Sequence, residues 1–316
     1  MPPESVRPDG LTLLGPALFF VVLGAGGWRD KIRSGLITMA GFALIFGGYL
    51  AFNYSLAGTL LPNTFYAKQA EYAALLAHSL WKRLVSLAFL PAIGAGSLLI
   101  PGLVGALWRM VAQRTWSLIA MLLWWLGYTA VYALRLPVTY QHGRYLIPAM
   151  PVIFILGLVG TERLLRIEYK ASRIGWALAR LILVSLVALQ LMFTYLGAKA
   201  YGEDVAIIES EMVATAHWLN QHTEPDAVIA VHDIGAIGYF SQRRLLDLAG
   251  LVSPEVIPFI RDEARLAEYL DQNQADYLVT FPGWYPNLVS LGSEIFTTGS
   301  RVTLDAGGEN MAVYAW

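Results

Sequence analysis

The side chains able to do chemistry in this chain gather in three places. In Tyr140–Pro151 (YQHGRYLIPAMP), His142 and Arg144 sit among Tyr140, Gln141 and Tyr145, directly before an apolar segment opened by Pro148 and Pro151. A guanidinium offers five fixed donors in a planar fork, which suits a phosphate or diphosphate. The same basic and aromatic mixture also anchors helices at a membrane surface, so residue types alone leave both roles open. The second place is Leu61–Lys68 (LPNTFYAK), where Lys68 is accompanied by the hydrogen-bonding groups of Asn63, Thr64 and Tyr66. Its bland alternative is a solvated loop lysine beside a Pro–Asn turn. The third is Asp233, just past the apolar run Ala227–Val231. A carboxylate beyond a strand end is a common site position in an α/β layer, and equally a common turn stabiliser. Nearby Tyr239, Arg243, Arg244 and Asp247 have the make-up of an ion-paired surface.

Other chemistries find little footing. The five histidines show no HxH or HExxH spacing and there is no cysteine, so no metal site, disulfide or thiolate nucleophile is indicated. Neither GxGxxG nor GxxxxGK[ST] occurs, which leaves no nucleotide loop. A net charge of −1 offers no broad basic surface to nucleic acid.

The elements that must position these residues are mostly apolar. Of 316 residues, 56% are hydrophobic and 14% charged, against roughly a quarter charged in soluble domains. Charges are sparse before about residue 199 and dense after it, which implies a membrane part followed by a soluble part. The start, MPPESVRPDG, lacks the basic region and cleavage site of a signal peptide. A spanning helix needs about 20 apolar residues, and the hydrophobic runs Leu11–Trp28, Ser34–Phe52, Leu84–Trp108, Ser117–Leu134, Leu146–Leu165 and Ile174–Leu196 predict about six spans. The third should bend at Pro91 or Pro101. Loops fall at 53–83, with a short helix through Glu71–Leu80, and at 135–145.

Arg29, Lys31 and Arg33 follow the first run, Arg109 and Arg114 the third, and Arg163, Arg166, Lys170 and Arg173 the fifth. The positive-inside rule puts these turns in the cytoplasm. LPNTFYAK, QHGRY and the C-terminal part then share the extracytoplasmic face, where Lys68 and Arg144 could share one anion. The N-terminus falls outside as well, as it would had an odd number of spans been lost upstream.

From Ala198 the pattern changes. Glu203–Gln221 has helical apolar spacing, Ala227–Val231 and Asp276–Thr280 read as buried strands, and HDIGAIGYF carries glycines suited to a turn. Arg244–Leu248 alternates, Asp262–Gln272 reads as a helix, and Asn310–Trp316 as a β-like run. The predicted fold is a polytopic α-helical membrane domain, residues 1–197, followed by a small extracytoplasmic α/β domain, residues 198–316.

Asn53–Lys68 (NYSLAGTLLPNTFYAK), His142–Pro151 (HGRYLIPAMP) and Asp233–Gly250 (DIGAIGYFSQRRLLDLAG), in this order, resemble bacterial GT-C glycosyltransferases. The resemblance covers about residues 35 to 285. It implies a polytopic enzyme of the bacterial cytoplasmic (inner) membrane, with its C-terminal domain extracytoplasmic. Such an enzyme takes sugar from a polyprenyl-phosphate donor and passes it to an envelope glycan, lipid or protein acceptor. It further implies that Lys68 and Arg144 contact the donor phosphate, with His142, Tyr66 and Tyr145 around that pocket. Asn63 and Asp233 would make acceptor or loop contacts, and the α/β domain would cover the site. Fixed cations at a departing phosphate favour the transition state over the ground state.

The chain departs from the family at one point. Such enzymes usually carry a catalytic acidic residue in the first extracytoplasmic loop, after the first membrane helix. Here Glu4 and Asp9 precede the first apolar run and Asp30 lies in the turn after it. No general base is assigned, and the expectation is the C-terminal portion of a longer enzyme. No organic cofactor is called for, and a divalent cation is left open because its carboxylates would lie upstream. The second reading is a non-catalytic membrane module that binds a lipid-linked phosphate or scaffolds envelope biosynthesis. A transporter fits less well, since only Arg180 falls within a span and ion-coupled carriers need several ionisable groups there.

Overall fold

The computed structural model describes residues 8–316, side chains at positions 8, 141 and 167–171 excepted. Glu4 and the side chains of Gln141 and Lys170 lie outside the described residues. The chain forms two compact units. One comprises the residues up to Leu61 together with Tyr72–Tyr195, the other Pro62–Glu71 together with Leu196–Trp316.

In the first unit α1 (Leu14–Leu23) and α2 (Trp28–Ala57) come first. The chain then supplies α3 (Asn63–Glu71) to the second unit and returns with α4 (Leu80–Ala88), α5 (Ile100–Gln113), α6 (Trp116–Arg135) and α7 (Met150–Ala171). The last helix, α8 (Arg173–Ile208), contributes to this unit as far as Tyr195. Leu87, Met110, Trp125, Tyr128, Leu146, Val152 and Leu156 form its core. Gly102 of α5 lies against Gly160 of α7 so closely that a Cβ on either would overlap the facing helix. Small residues at a helix–helix contact permit this approach.

The outer surface is apolar. No residue of α2 is buried, and its Leu44 and Ile45 are 79% and 68% exposed. Among the described residues four helical stretches are long and apolar enough to cross a membrane: Trp28–Ala57, Gly94–Gln113, Trp116–Arg135 and Arg173–His222. Asp9–Leu23 is apolar but shorter. The stretch expected as a third span is not one bent helix. Between α4 and α5 the chain runs through 3-10 turns at Leu90–Ala92 and Gly94–Leu99, with Pro91 and Pro101 each at the start of a new helical segment. Proline has no N–H to continue the preceding ladder, so each break falls where the prolines stand.

The second unit is built on a sheet of order β2-β1-β3-β5-β4. Its strands are β1 (Val228–Val231), β2 (Arg244–Asp247), β3 (Tyr277–Thr280), β4 (Ser293–Thr297) and β5 (Ala312–Ala315). β1 pairs parallel with β2 and β3, whereas β5 runs antiparallel to both β3 and β4. All four residues of β1 are buried and alternate between faces. Ile229 and Val231 pack with α9 (Ala214–His222) and α10 (Ile234–Ser241), through Leu219 and Ile237. Val228 and Ala230 pack with α11 (Glu263–Gln272) and α12 (Pro286–Val289), through Leu266, Leu270 and Leu288. A short α13 (Arg301–Asp305) precedes β5.

A π-helical turn, Glu209–Val213, joins α8 to α9. Its fully buried Glu211 accepts hydrogen bonds from Thr298, Thr303, Asn310 and the Met311 N–H, which explains this carboxylate as a fastener of β5.

Several sequence expectations need correction. LPNTFYAK is not a loop, since α3 takes in its residues from Asn63 on, and the short helix expected through Glu71–Leu80 is a 3-10 turn at Ala73–Ala77. Ala67, Lys68, Gln69, Ala70 and Glu71 are good helix formers, and Lys68 pairs with Glu71 at i, i+3. HDIGAIGYF is not a turn but mostly α10, because Gly238 serves close packing: a Cβ there would sit 3.0 Å from the Leu245 side chain on β2. β4 went unread because four of its five residues are exposed, so it lacks an apolar face, and its register with β5 shifts between Glu294 and Phe296.

Candidate functional site

Each unit carries one polar cluster, and the sequence-predicted residues divide between them. Lys68, Asn63, Tyr66 and Asp233 belong to the α/β unit, and His142, Arg144 and Tyr145 to the helical unit.

The α/β cluster lies where the sheet topology favours a site. After β1 the chain turns into α10 on one face. After β3 it passes through Pro282–Trp284 into α12 on the other. The crevice between such strand ends is where ligands of open α/β sheets bind. His232 and Asp233 leave the end of β1, and Trp284 and Tyr285 follow β3. α3 adds Lys68 and Glu71, its Ala67 fully buried and its Ala70 packed on the core.

Glu71 is the hub. Its side chain is 8% exposed, and its carboxylate lies 2.7 Å from Lys68 Nζ, 3.5 Å from His232 Nε2 and 3.8 Å from Arg261 Nη2. His232 Nδ1 lies 2.7 Å from the Tyr285 hydroxyl. With the imidazole proton on Nε2 facing the carboxylate, Nδ1 accepts from that hydroxyl, so Glu71 sets both the tautomer and the ring's orientation. Burial pushes the Glu71 carboxyl up. The hydrogen bond from His232 and the bond and charge of Lys68 more than reverse this, and hold it at about 2.

Asp233 behaves differently. It stands at the N-cap of α10 yet makes no capping bond, and no hydrogen bond or ion pair holds its carboxylate among the described residues. Burial pushes it up, against the charges of His232 and Lys68. Trp284 is 43% exposed and meets the His232 ring at 5.1 Å, edge to face. Two cations (Lys68, Arg261) and two carboxylates (Glu71, Asp233) thus offset one another beside an exposed indole. Such a set suits hydroxyl-rich, uncharged ligands better than a bare anion.

The helical-unit cluster is built on a sharp turn at His142, whose φ of 56° is left-handed and uncommon for a residue with a side chain. The turn presents Arg144, which is exposed and has no ion pair among the described residues. Its guanidinium lies 5.0 Å from the Tyr145 ring centroid and donates to the Tyr145 hydroxyl at 3.0 Å. Tyr145 continues an aromatic row, 5.9 Å to Tyr132 and then 5.0 Å to Tyr128. Both tyrosine hydroxyls donate to Asp9 Oδ2, at 3.0 Å from Tyr132 and 2.7 Å from Tyr128. Trp124 Nε1 donates to Thr12.

Sequence reasoning missed Glu71, His232, Arg261, Trp284 and Tyr285, and gave Asp9 no role. The one local signal was the Lys68–Glu71 spacing; the rest depends on the sheet order. Among the described residues no three His, Asp or Glu are grouped to hold a metal ion.

A family model described as a domain of unknown function (DUF8728) matches residues 203–314. It takes in His232, Asp233, Arg261, Trp284 and Tyr285, and not Lys68 or Glu71. No curated protein and no solved structure matches the chain. By fold and site the chain has a helical unit with helices fit to cross a membrane, and an α/β unit with a polar crevice at its strand ends.

Proposed function

We propose that the chain acts as a membrane glycosyltransferase, or as part of one. In this reading it takes a sugar from a polyprenyl-phosphate donor and passes it to an envelope glycan, lipid or protein acceptor on the extracytoplasmic side of a bacterial inner membrane. The observation that carries this reading is Arg144, a guanidinium without a carboxylate partner among the described residues, steadied by Tyr145 shortly before the apolar helix α7. A cation so placed meets a lipid-linked phosphate at the membrane boundary, with the prenyl tail along the apolar helices. As the sugar–oxygen bond breaks, negative charge grows on the phosphate, and a preorganised guanidinium stabilises that charge. The α/β crevice, with balanced charge and an exposed indole, is suited to the hydroxyls of the acceptor.

The test is sugar transfer from a labelled polyprenyl-phosphate donor in membranes containing the protein. Arg144→Ala should lower transfer about 100-fold or more, the scale of losing one transition-state donor, with folded protein undiminished. Wild-type turnover in that variant would sink the assignment. The second reading, a module that binds lipid-linked phosphate without transferring sugar, draws on Glu71, whose low pKa makes it a poor proton acceptor near neutral pH. Donor binding with no transfer by the wild-type chain would favour it.

A further inference from the structure

A separate recess in the helical unit lies between α5, the start of α6 and the middle of α7. Gly105, Ala106, Met110, Leu118 and Leu164 contribute its apolar walls, and Arg109, Gln113, Thr115 and Arg163 its polar groups. Its enclosed part has room for about one water-sized group, roughly 20 Å³, enough to take a single oxygen of a phosphate seated at its mouth. Neither arginine forms an ion pair among the described residues. The acidic neighbour of Arg163, Glu162, is instead engaged by Arg166. Thr115 stands at the N-cap of α6 without capping it, and its hydroxyl is buried with no hydrogen-bond partner. A buried hydroxyl of this kind calls for an explanation.

We infer that this recess binds the phosphate of an anionic glycerophospholipid. One phosphate oxygen would take the Thr115 hydroxyl as donor, and Arg109 and Arg163 would share the others. The acyl chains would lie along the exposed apolar residues Val104, Trp108 and Val111 of α5. Basic pockets between membrane helices recognise lipid headgroups in this way. The inference does not depend on the glycosyltransferase reading, because none of its residues belongs to either polar cluster.

The test uses the full chain in detergent, delipidated and then titrated with phosphatidylglycerol, phosphatidylcholine or inorganic phosphate, with retained ligand counted by native mass spectrometry. The expected result is saturable retention of phosphatidylglycerol over phosphatidylcholine. Arg109→Gln/Arg163→Gln should weaken it roughly 30-fold, two cations at about fivefold each. Thr115→Val, a near-isosteric change that spares both arginines, should weaken it less, and Arg29→Gln, at a residue that does not line the recess, should leave it unchanged. Arginine-dependent retention of inorganic phosphate with no lipid preference would assign the same chemistry to a free anion and overturn the lipid source. Equal lipid retention in wild type and both recess variants, or none in any, would overturn the site.

Discussion

The two polar clusters use similar residues to opposite ends. In the helical unit, Arg144 is held by a tyrosine hydroxyl and ring with no carboxylate partner among the described residues, while Asp9 is satisfied by the hydroxyls of Tyr128 and Tyr132. In the α/β unit, Lys68 and Arg261 both approach Glu71, so cation and carboxylate neutralise each other. A residue's neighbours therefore decide whether its charge is offered to a ligand or spent on structure. Lys68 and Arg144, both cations singled out by the sequence, differ in this respect.

The difference can be broken or sharpened by substitution. The largest expected effect is the transfer loss in Arg144→Ala, about 3–4 kcal/mol of transition-state stabilisation at the scale of one lost donor. Next is Glu71→Gln, which leaves Lys68 and His232 without their carboxylate. It should destabilise the α/β unit by about 2 kcal/mol, read from chemical denaturation of the full chain followed at its tryptophans. That loss carries a pH signature. The Glu71 carboxyl is held at about 2, below its ordinary 4.5, so its stabilisation is complete above about pH 4.5. It fades as pH falls from there towards 2, and Glu71→Gln should remove that part of the acid dependence. Arg144→Lys keeps the charge but loses the fork, and should recover transfer to within about tenfold of wild type. The smallest effect has the opposite sign. Asp233 is partly buried, and burial outweighs the charges of His232 and Lys68 to push it up, so its ionised form costs stability above the ordinary carboxylate range. Asp233→Asn should stabilise the unit near neutral pH by about 0.5 kcal/mol, a gain common where function has kept a strained group.

What the sequence made legible follows the range of the forces involved. β1, β2, β3, β5 and α11 could be read from short apolar runs and alternation, because burial on two faces writes itself locally. α10 could not, since Gly235 and Gly238 signal a turn until β2 is seen lying against them. Arg144 and Lys68 stood out by type. That Glu71, one turn from Lys68, meets His232, more than half the chain away, depends on α3 folding with the sheet and not with its sequence neighbours. Thr115 gave no signal, and Arg109 and Arg163 stood out only as charges of cytoplasmic turns, because only the packing of α5 against α7 forms their recess.

The measurement that bears most directly on the account is binding of polyprenyl phosphate to the full chain in lipid nanodiscs, comparing Arg144→Ala with Lys68→Ala. The account predicts a loss of at least about tenfold in affinity for Arg144→Ala, the scale of one charge-assisted hydrogen bond, and a much smaller change for Lys68→Ala. Unchanged affinity in Arg144→Ala, or a greater loss in Lys68→Ala, would contradict it.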